Sequence, residues 1–217
     1  IGSAIAKELR SRGARVTVVE PSALRAKQAR KQGFKVAEKA QALAAVGVNR
    51  LSVGVQALDE GRLRYLGRLH DAQGALRALR SAQQAVGRVS GDLMFGTPGQ
   101  PPEAFLAEVS RLLDLGLSHL SIYALTIEPN TVFGELSRKG RLPLAKDDDY
   151  AETFSAVEAL LARHGFEHYE VSNYAKPGES SRHNQHYWLG GDYLGLGCAA
   201  VGCRTSRPGH ARRVRNQ

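Results

Sequence analysis

Arg50-Leu51-Ser52-Val53-Gly54-Val55-Gln56 is the stretch that decides the fold. Leu51, Val53 and Val55 alternate with smaller or polar residues, the period-two signature of a strand with one face against a core. Downstream, Asp71 to Val86 carries Leu76 and Leu79 at helical spacing and ends at Gly87. Val89 to Phe95 (VSGDLMF) reads as the next strand, closed by Gly96-Thr97-Pro98-Gly99. Pro101-Pro102 then opens a helix with Phe105, Leu106, Val109, Leu112 and Leu113 on its apolar face, and Gly116 stops it. Leu117 to Leu125 is a third strand. Asp147, Asp148 and Asp149 suit a helix N-terminus, where carboxylates meet free N–H groups and the positive dipole end. That helix carries Tyr150, Phe154, Val157, Leu160 and Leu161, stops at Gly165, and is followed by a strand over Phe166 to Ser172. Strands alternating with helices make an α/β protein with a parallel sheet, and strand starts near 50, 89 and 118 have the even spacing of a β/α barrel. In such a barrel working residues sit where strands end. Those places are Gln56, Gly96 to Gln100, Tyr123-Ala124 and Ser172 to Tyr174, which are polar or glycine-rich.

The first residues have a different texture. A small-residue helix face (Ala4, Ile5, Ala6, Leu9) ends at Gly13. A strand, Ala14 to Glu20, follows, then a helix from Pro21-Ser22 to Gly33 and a strand start at Phe34 to Val36. This is half of a βαβ layout. Gly2 stands where the last glycine of a dinucleotide loop would, with Glu20 placed to meet ribose hydroxyls. The first two glycines and the first strand of that fingerprint are absent, so a structural fragment is expected.

Charge and cysteine content narrow the function classes. The net charge is +9. Residues 1–40 contribute +7 and residues 204–217 contribute +5, while the stretch between them carries −3. A nucleic-acid binder concentrates charge on its working face, so nucleic acid is not the expected partner. Cys198 and Cys203 are the two cysteines, a C-x4-C pair in a Gly/Ala-rich stretch, read as small buried residues. So few cysteines fit a reducing compartment, and a cytoplasmic location is expected. No run of about 18 apolar residues marks a membrane span.

Ordered motifs from Gly47 to Gly202 carry a resemblance. They are Gly47 to Gln56 (GVNRLSVGVQ), Leu66 to His70 (LGRLH), Asp92 to Gln100 (DLMFGTPGQ), Leu120 to Tyr123, Ile127 to Thr131 (IEPNT), Tyr169 to Ala175 (YEVSNYA) and His183 to Trp188 (HNQHYW). Together they resemble the HemW heme-chaperone and oxygen-independent coproporphyrinogen III oxidase group of radical S-adenosylmethionine (SAM) proteins. The resemblance implies a radical SAM barrel, partial in this chain. Residues 41–217 would form it, preceded by a Rossmann-like fragment over residues 1–40 that resembles NAD-binding domains of Trk/Kef-type potassium-transport regulators.

The resemblance also implies site residues. Gln56 would contact the SAM nucleoside, Arg68 the methionyl carboxylate, and Asp92 the hydroxyls or ammonium. Ala124 and Val201 would line the adenine. His183, Tyr187 and Trp188, in a motif of the HemW type, would contact heme, with His183 as an axial imidazole and the rings packed on the porphyrin. His186 falls at a variable position. The family's cluster motif, C-x3-C-x2-C, is absent from this sequence, and three thiolates are needed to hold its [4Fe–4S] cluster. The chain is therefore expected to be an incomplete form of a longer protein. Its expected function is heme trafficking, with heme or porphyrin as cargo and heme-accepting proteins as partners. The alternatives are a coproporphyrinogen III oxidase and a nucleotide-binding regulatory module.

Overall fold

The computed structural model describes residues 17–19, 35–37, 40–45, 47–143, 145, 147–195, 200–207 and 210–215. They fall into two units, one of residues 49–180 and one of residues 1–48 with 181–217.

The larger unit is built on a five-stranded sheet in the order β3-β4-β5-β7-β6. Its strands are β3 (Arg50–Gln56), β4 (Arg88–Phe95), β5 (His119–Ala124), β6 (Glu167–Glu170) and β7 (Asn173–Ala175). β3, β4 and β5 pair in parallel, as expected of β/α units. The far edge departs from that expectation. Phe166 to Ser172 is not one strand feeding a polar rim. Its last residues turn at Val171-Ser172, and β7 folds back antiparallel between β5 and β6. A turn this tight has no room for a crossover helix, so only an antiparallel return is possible.

Helices connect the parallel strands. α2 (Glu60–Tyr65) and α3 (Ala72–Ala85) follow β3. Their N-caps, Asp59 and Asp71, accept from the N–H groups of Arg62 and Gly74, which satisfies donors that a helix start leaves free. α3 buries Ala72, Ala75, Leu76, Leu79 and Ala82. α4 (Pro102–Leu113) begins with proline, whose fixed φ suits the first turn, and buries Phe105, Val109 and Leu112. Leu106 and Leu113 are only half-buried. α5 (Val132–Arg138) is short and has no buried residue. α6 (Asp147–Arg163) opens on its three aspartates and buries Thr153, Val157 and Leu161.

α3 packs on β3 and β4, and α4 packs on β4 and α6. The helix-covered face of the sheet therefore presents Val55, Val89, Leu93, Phe95 and Leu120, all buried. Each such side chain contributes roughly 1.5–3 kcal/mol on burial. Gly91 permits the closest approach: a side chain there would meet Leu112 Cδ2 at 2.8 Å and Leu117 Cδ1 at 3.0 Å.

The second unit contains the parallel pair β1 (Thr17–Val19) and β2 (Lys35–Ala37), with Thr17 opposite Lys35, and a short helix α1 (Ala40–Ala44). Gly2 and Glu20 lie outside the described residues. The unit also holds α7 (Arg182–Trp188) and the hairpin of β8 (Val201–Arg207) with β9 (His210–Arg215). Cys203, read from sequence as buried, is half-buried in β8 opposite Arg213, because the hairpin has few residues with which to cover it. Cys198 lies outside the described residues.

Candidate functional site

Strand alternation gives the other face of the sheet its chemistry. If Leu51, Val53 and Val55 face the helices, Arg50, Ser52 and Gly54 face away, and the register shifts between Gly54 and Gln56. Parallel register sets Ser90 beside Ser52, Asp92 beside Gly54 and Ser121 beside Asp92, and it sets His119 beside Ser90. A row of polar groups thus crosses the middle of the sheet.

These groups bond to one another. The Ser52 hydroxyl donates to the Asp92 carboxylate, with Oγ 2.7 and 2.9 Å from its two oxygens, and Ser90 Oγ lies 3.1 Å from Asp92 Oδ1. Ser90 Oγ is also 2.8 Å from His119 Nδ1, and His119 Nε2 is 2.7 Å from the Tyr169 hydroxyl. Ser121 donates to Asn173 Oδ1 at 2.5 Å, and the Asn173 amide donates to Glu170. Ser90, His119, Ser121 and Asn173 are all buried.

Burial acts oppositely on the two titrating groups in the row. It pushes the Asp92 carboxyl above its usual range, partly offset by the hydrogen bonds of Ser52 and Ser90 and by the nearby Arg50 guanidinium. It drives His119 down to about 3, helped by the positive charges of Arg50 and Arg88, so the imidazole is neutral at ordinary pH.

Gln56 closes β3 with φ 68°. Its amide folds back over Gly54, where any side chain would meet Gln56 Nε2 at 2.6 Å. Gln56 therefore shares the polar face with Asp92. Arg68 follows α2, after the positive-φ turn at Gly67, and its N–H donates to Leu63 O at 2.9 Å. α2 itself is tied to α4 through Glu108. That carboxylate accepts from Leu58 N at 2.8 Å and pairs with the Arg62 guanidinium.

Arg68 borders a cleft of about 520 Å³, a volume in the range of small-molecule sites. Its walls include Tyr65, Met94, Leu125, Val132 and Phe133. Tyr65 and Phe133 meet with ring centroids 5.1 Å apart. Met94 joins the cleft to the polar row, since it stands two residues beyond Asp92 on the same side of β4. Ala124 ends β5 and is exposed. The structure thus places Gln56 and Asp92 on one face and Arg68 at the adjoining cleft. Asp92 lies in the middle of its strand, not at the end, and sequence reasoning missed its partners Ser52 and Ser90, its neighbour Ser121, and His119 behind Ser90.

Val201, His183, Tyr187 and Trp188 belong to the other unit. In α7, capped by Ser181, the rings of His183 and Tyr187 are one turn apart and meet edge-on at 4.8 Å; Tyr187 meets Tyr193 at 4.3 Å. His186 turns away and donates to Asp192 O at 2.7 Å. Trp188 and Leu189 are 63% and 84% exposed, a patch left open at the end of the helix. Val201 begins β8, next to the bridge between Tyr193 and Cys203.

Comparison with known proteins fits this geometry. Residues 4–112 match the family model of the Radical SAM superfamily. The chain belongs to the radical SAM superfamily. Its sequence is of the HemW-like kind. It is 43% identical over 170 residues to the protein named heme chaperone HemW from Escherichia coli. It is 44% identical over 179 residues to mouse radical S-adenosyl methionine domain-containing protein 1, mitochondrial. Those alignments take in 77% and 81% of this chain but 44% and 40% of the relatives, so the chain spans less than half the length of the curated relatives it matches. Among solved structures, the coproporphyrinogen III oxidase HemN of Escherichia coli superposes with a TM-score of 0.61 at 21% identity, over 82% of this chain and 48% of that one. That likeness places the fold among radical SAM folds. The family match also takes in residues 4–36, the stretch read from sequence as Rossmann-like.

Arg50 Nη1 is buried with no hydrogen-bond partner among the described residues, a donor that a polar ligand on this face could satisfy. SAM therefore fits the polar face and cleft. The [4Fe–4S] cluster does not fit this chain: the sequence holds two cysteines, and the described residues hold no group of three metal-ligating side chains. No described helix is long and apolar enough to cross a membrane.

Proposed function

We propose that this chain is the SAM- and heme-handling portion of a HemW-type heme chaperone. The observation that carries the reading is the continuity of an acid-bearing polar face, through Met94, with a mostly apolar cleft that has one guanidinium at its border. SAM needs those three surfaces: a cation for its carboxylate, an acceptor for its ribose hydroxyls or ammonium, and apolar wall for the rest.

Arg68 would hold the carboxylate through its planar donor fork. Asp92 would accept from hydroxyls or ammonium with the lone pairs its serines leave open. The Gln56 amide, able to donate and accept together, would meet the nucleoside. Ala124, at the end of β5, would line the adenine. On the other unit, His183 would meet heme iron, with Tyr187 and Trp188 against the porphyrin, and the exposed end of α7 suits a flat apolar cargo that must be handed on to an acceptor protein. In this superfamily a bound cluster supplies the electron for SAM chemistry, and the residues derived above bind and orient without it.

Two titrations test the reading. Hemin added to the protein should shift its Soret band, with at least a tenfold weaker midpoint in His183→Ala; an unchanged hemin spectrum refutes heme binding. Calorimetry with SAM should show binding that Arg68→Ala weakens roughly 10- to 100-fold, the worth of about 1.5–3 kcal/mol for a charge-assisted hydrogen bond. Equal affinity in that variant would remove Arg68 from the site.

A further inference from the structure

The polar row contains a hydrogen-bond order that can be deduced by counting protons. Glu170 only accepts, so the Asn173 amide must point its NH2 at Glu170 and its Oδ1 at Ser121. The single Ser121 proton is thereby spent on Asn173. Ser90 has one proton and three neighbours: Asp92 Oδ1 at 3.1 Å, His119 Nδ1 at 2.8 Å and Ser121 Oγ at 3.3 Å. If Ser90 gave its proton to His119, its lone pairs would face an acceptor-only carboxylate. The alternative satisfies every group. Ser90 donates to Asp92, His119 Nδ1–H donates to Ser90, and Tyr169 donates to His119 Nε2.

We propose that His119 is a positioning residue for Asp92: a one-way chain of hydrogen bonds from Tyr169 through His119 and Ser90 ends on the Asp92 carboxylate and holds it ionised and oriented for a ligand. The chain rests on the reading of Asp92 as a ligand-facing group. It explains why two serines converge on an acid whose burial favours the neutral form. Each donor in line polarises the next, so the terminal bond to the carboxylate is stronger than an isolated serine could make. The charged and titrating surroundings agree. Asp92 is faced by Arg50 and Ser52 from β3, Ser90 on its own strand and Ser121 from β5. His119 is faced by Ser90 from β4 and Tyr169 from β6, with Arg50 and Arg88 as the nearby charges. Burial, helped by two nearby guanidinium groups, keeps the imidazole neutral, and a neutral ring is the state that donates on one side and accepts on the other.

The whole chain, labelled with 15N and 13C on histidine and aspartate, tests this by NMR. His119 should show the neutral Nδ1–H tautomer from pH 5 to 8. A ring protonated at both nitrogens, or the Nε2–H tautomer, overturns the proposal without any variant. The Asp92 carboxyl signal supplies the second reading. In His119→Leu its titration midpoint should rise by about half a unit or more, because a donor to the charged form has been lost. In His119→Asn, whose side-chain amide can replace Nδ1–H, it should return most of the way to the native midpoint. An Asp92 midpoint that is the same in all three folded proteins overturns the proposal. SAM affinity, measured separately, keeps the readings distinct: the Nδ1–H tautomer and the midpoint shift without SAM binding would leave the chain standing and refute the binding reading alone.

Discussion

Replacing Glu108 with alanine should cost more stability than any surface change in this protein. Its carboxylate sits in α4 with a side-chain exposure of 6%, pairs with Arg62 at 18%, and accepts the Leu58 N–H at 2.8 Å. Alanine strands two groups at once. The guanidinium loses its partner in a mostly buried setting, worth about 3–5 kcal/mol for a broken buried pair. The Leu58 N–H loses its acceptor, worth about 1–3 kcal/mol if water cannot replace it. Part of this overlaps, because α2 can shift outward and hydrate Arg62, so a total of about 3–5 kcal/mol is expected. That is a large share of the roughly 5–15 kcal/mol that holds a typical domain folded. Glu108→Gln keeps an acceptor for Leu58 and should fall between alanine and the native residue. Urea unfolding followed by circular dichroism measures both, with the midpoint moving and the slope unchanged. The consequence for function is specific: α2 carries the turn that places Arg68, so SAM affinity should drop in Glu108→Gln even where the protein remains folded. A loss below about 1 kcal/mol in Glu108→Ala would refute the reasoning, since an exposed pair contributes no more than that.

Two more outcomes follow from the same geometry. Gly96 adopts φ +83° with the Tyr150 ring against it, and the Tyr150 hydroxyl donates to Gly96 O at 3.0 Å. Gly96→Ala combines a left-handed backbone with a clash, so it should lose about 2 kcal/mol or more and lower the thermal midpoint by several degrees; an unchanged midpoint would show that the loop relaxes freely. Asp92→Asn should raise stability at pH 7. The folded carboxyl binds its proton more tightly than the unfolded one, so its contribution is fully present at low pH and is lost as pH rises through the usual aspartate range to the raised value. Urea midpoints of variant and native protein should converge toward pH 4 and separate above it, and a constant difference across that range would contradict the raised Asp92.

Elements with a strong period were legible. The alternation of Leu51, Val53 and Val55, and the helical spacing of Phe105, Val109 and Leu112, place β3 and α4 nearly to the residue. The start of α6 was legible from its aspartate triplet, which occupies the first turn of the helix. Short elements were not. α2 and α5 have six and seven residues, too few to display a period, and β7 has three. β7 is decided by a tertiary fact, an open β5 edge that accepts Asn173, Tyr174 and Ala175, which no local window contains. The site divides the same way. Gln56, Arg68 and Asp92 were named from motif likeness. The supporting serines and His119 carried a visible signal, a polar residue at every second place in otherwise apolar strands, but their partners lie 29 to 52 residues away and only the register brings them together.

The two faces of one sheet therefore obey different rules. On the helix side Val55, Leu93 and Leu120 are packed to near-zero exposure, and that side accounts for why the unit folds. On the other side a carboxylate and an imidazole stand within one hydrogen-bonded row, beside the Arg50 guanidinium, whose Nη1 is buried with no hydrogen-bond partner among the described residues. Apolar residues in those places would be cheaper, since polar groups on a buried face give back most of what they gain in hydrogen bonds as lost solvation. A sequence that breaks its own packing pattern at one row of positions, and spends buried serines to orient the acid in that row, has the mark of a ligand site. Because the cost falls on Asp92 and the packing benefit on the opposite face, changes in the row should alter binding with little loss of fold. Changes at Leu93 or Leu120, one residue away in sequence, should do the reverse.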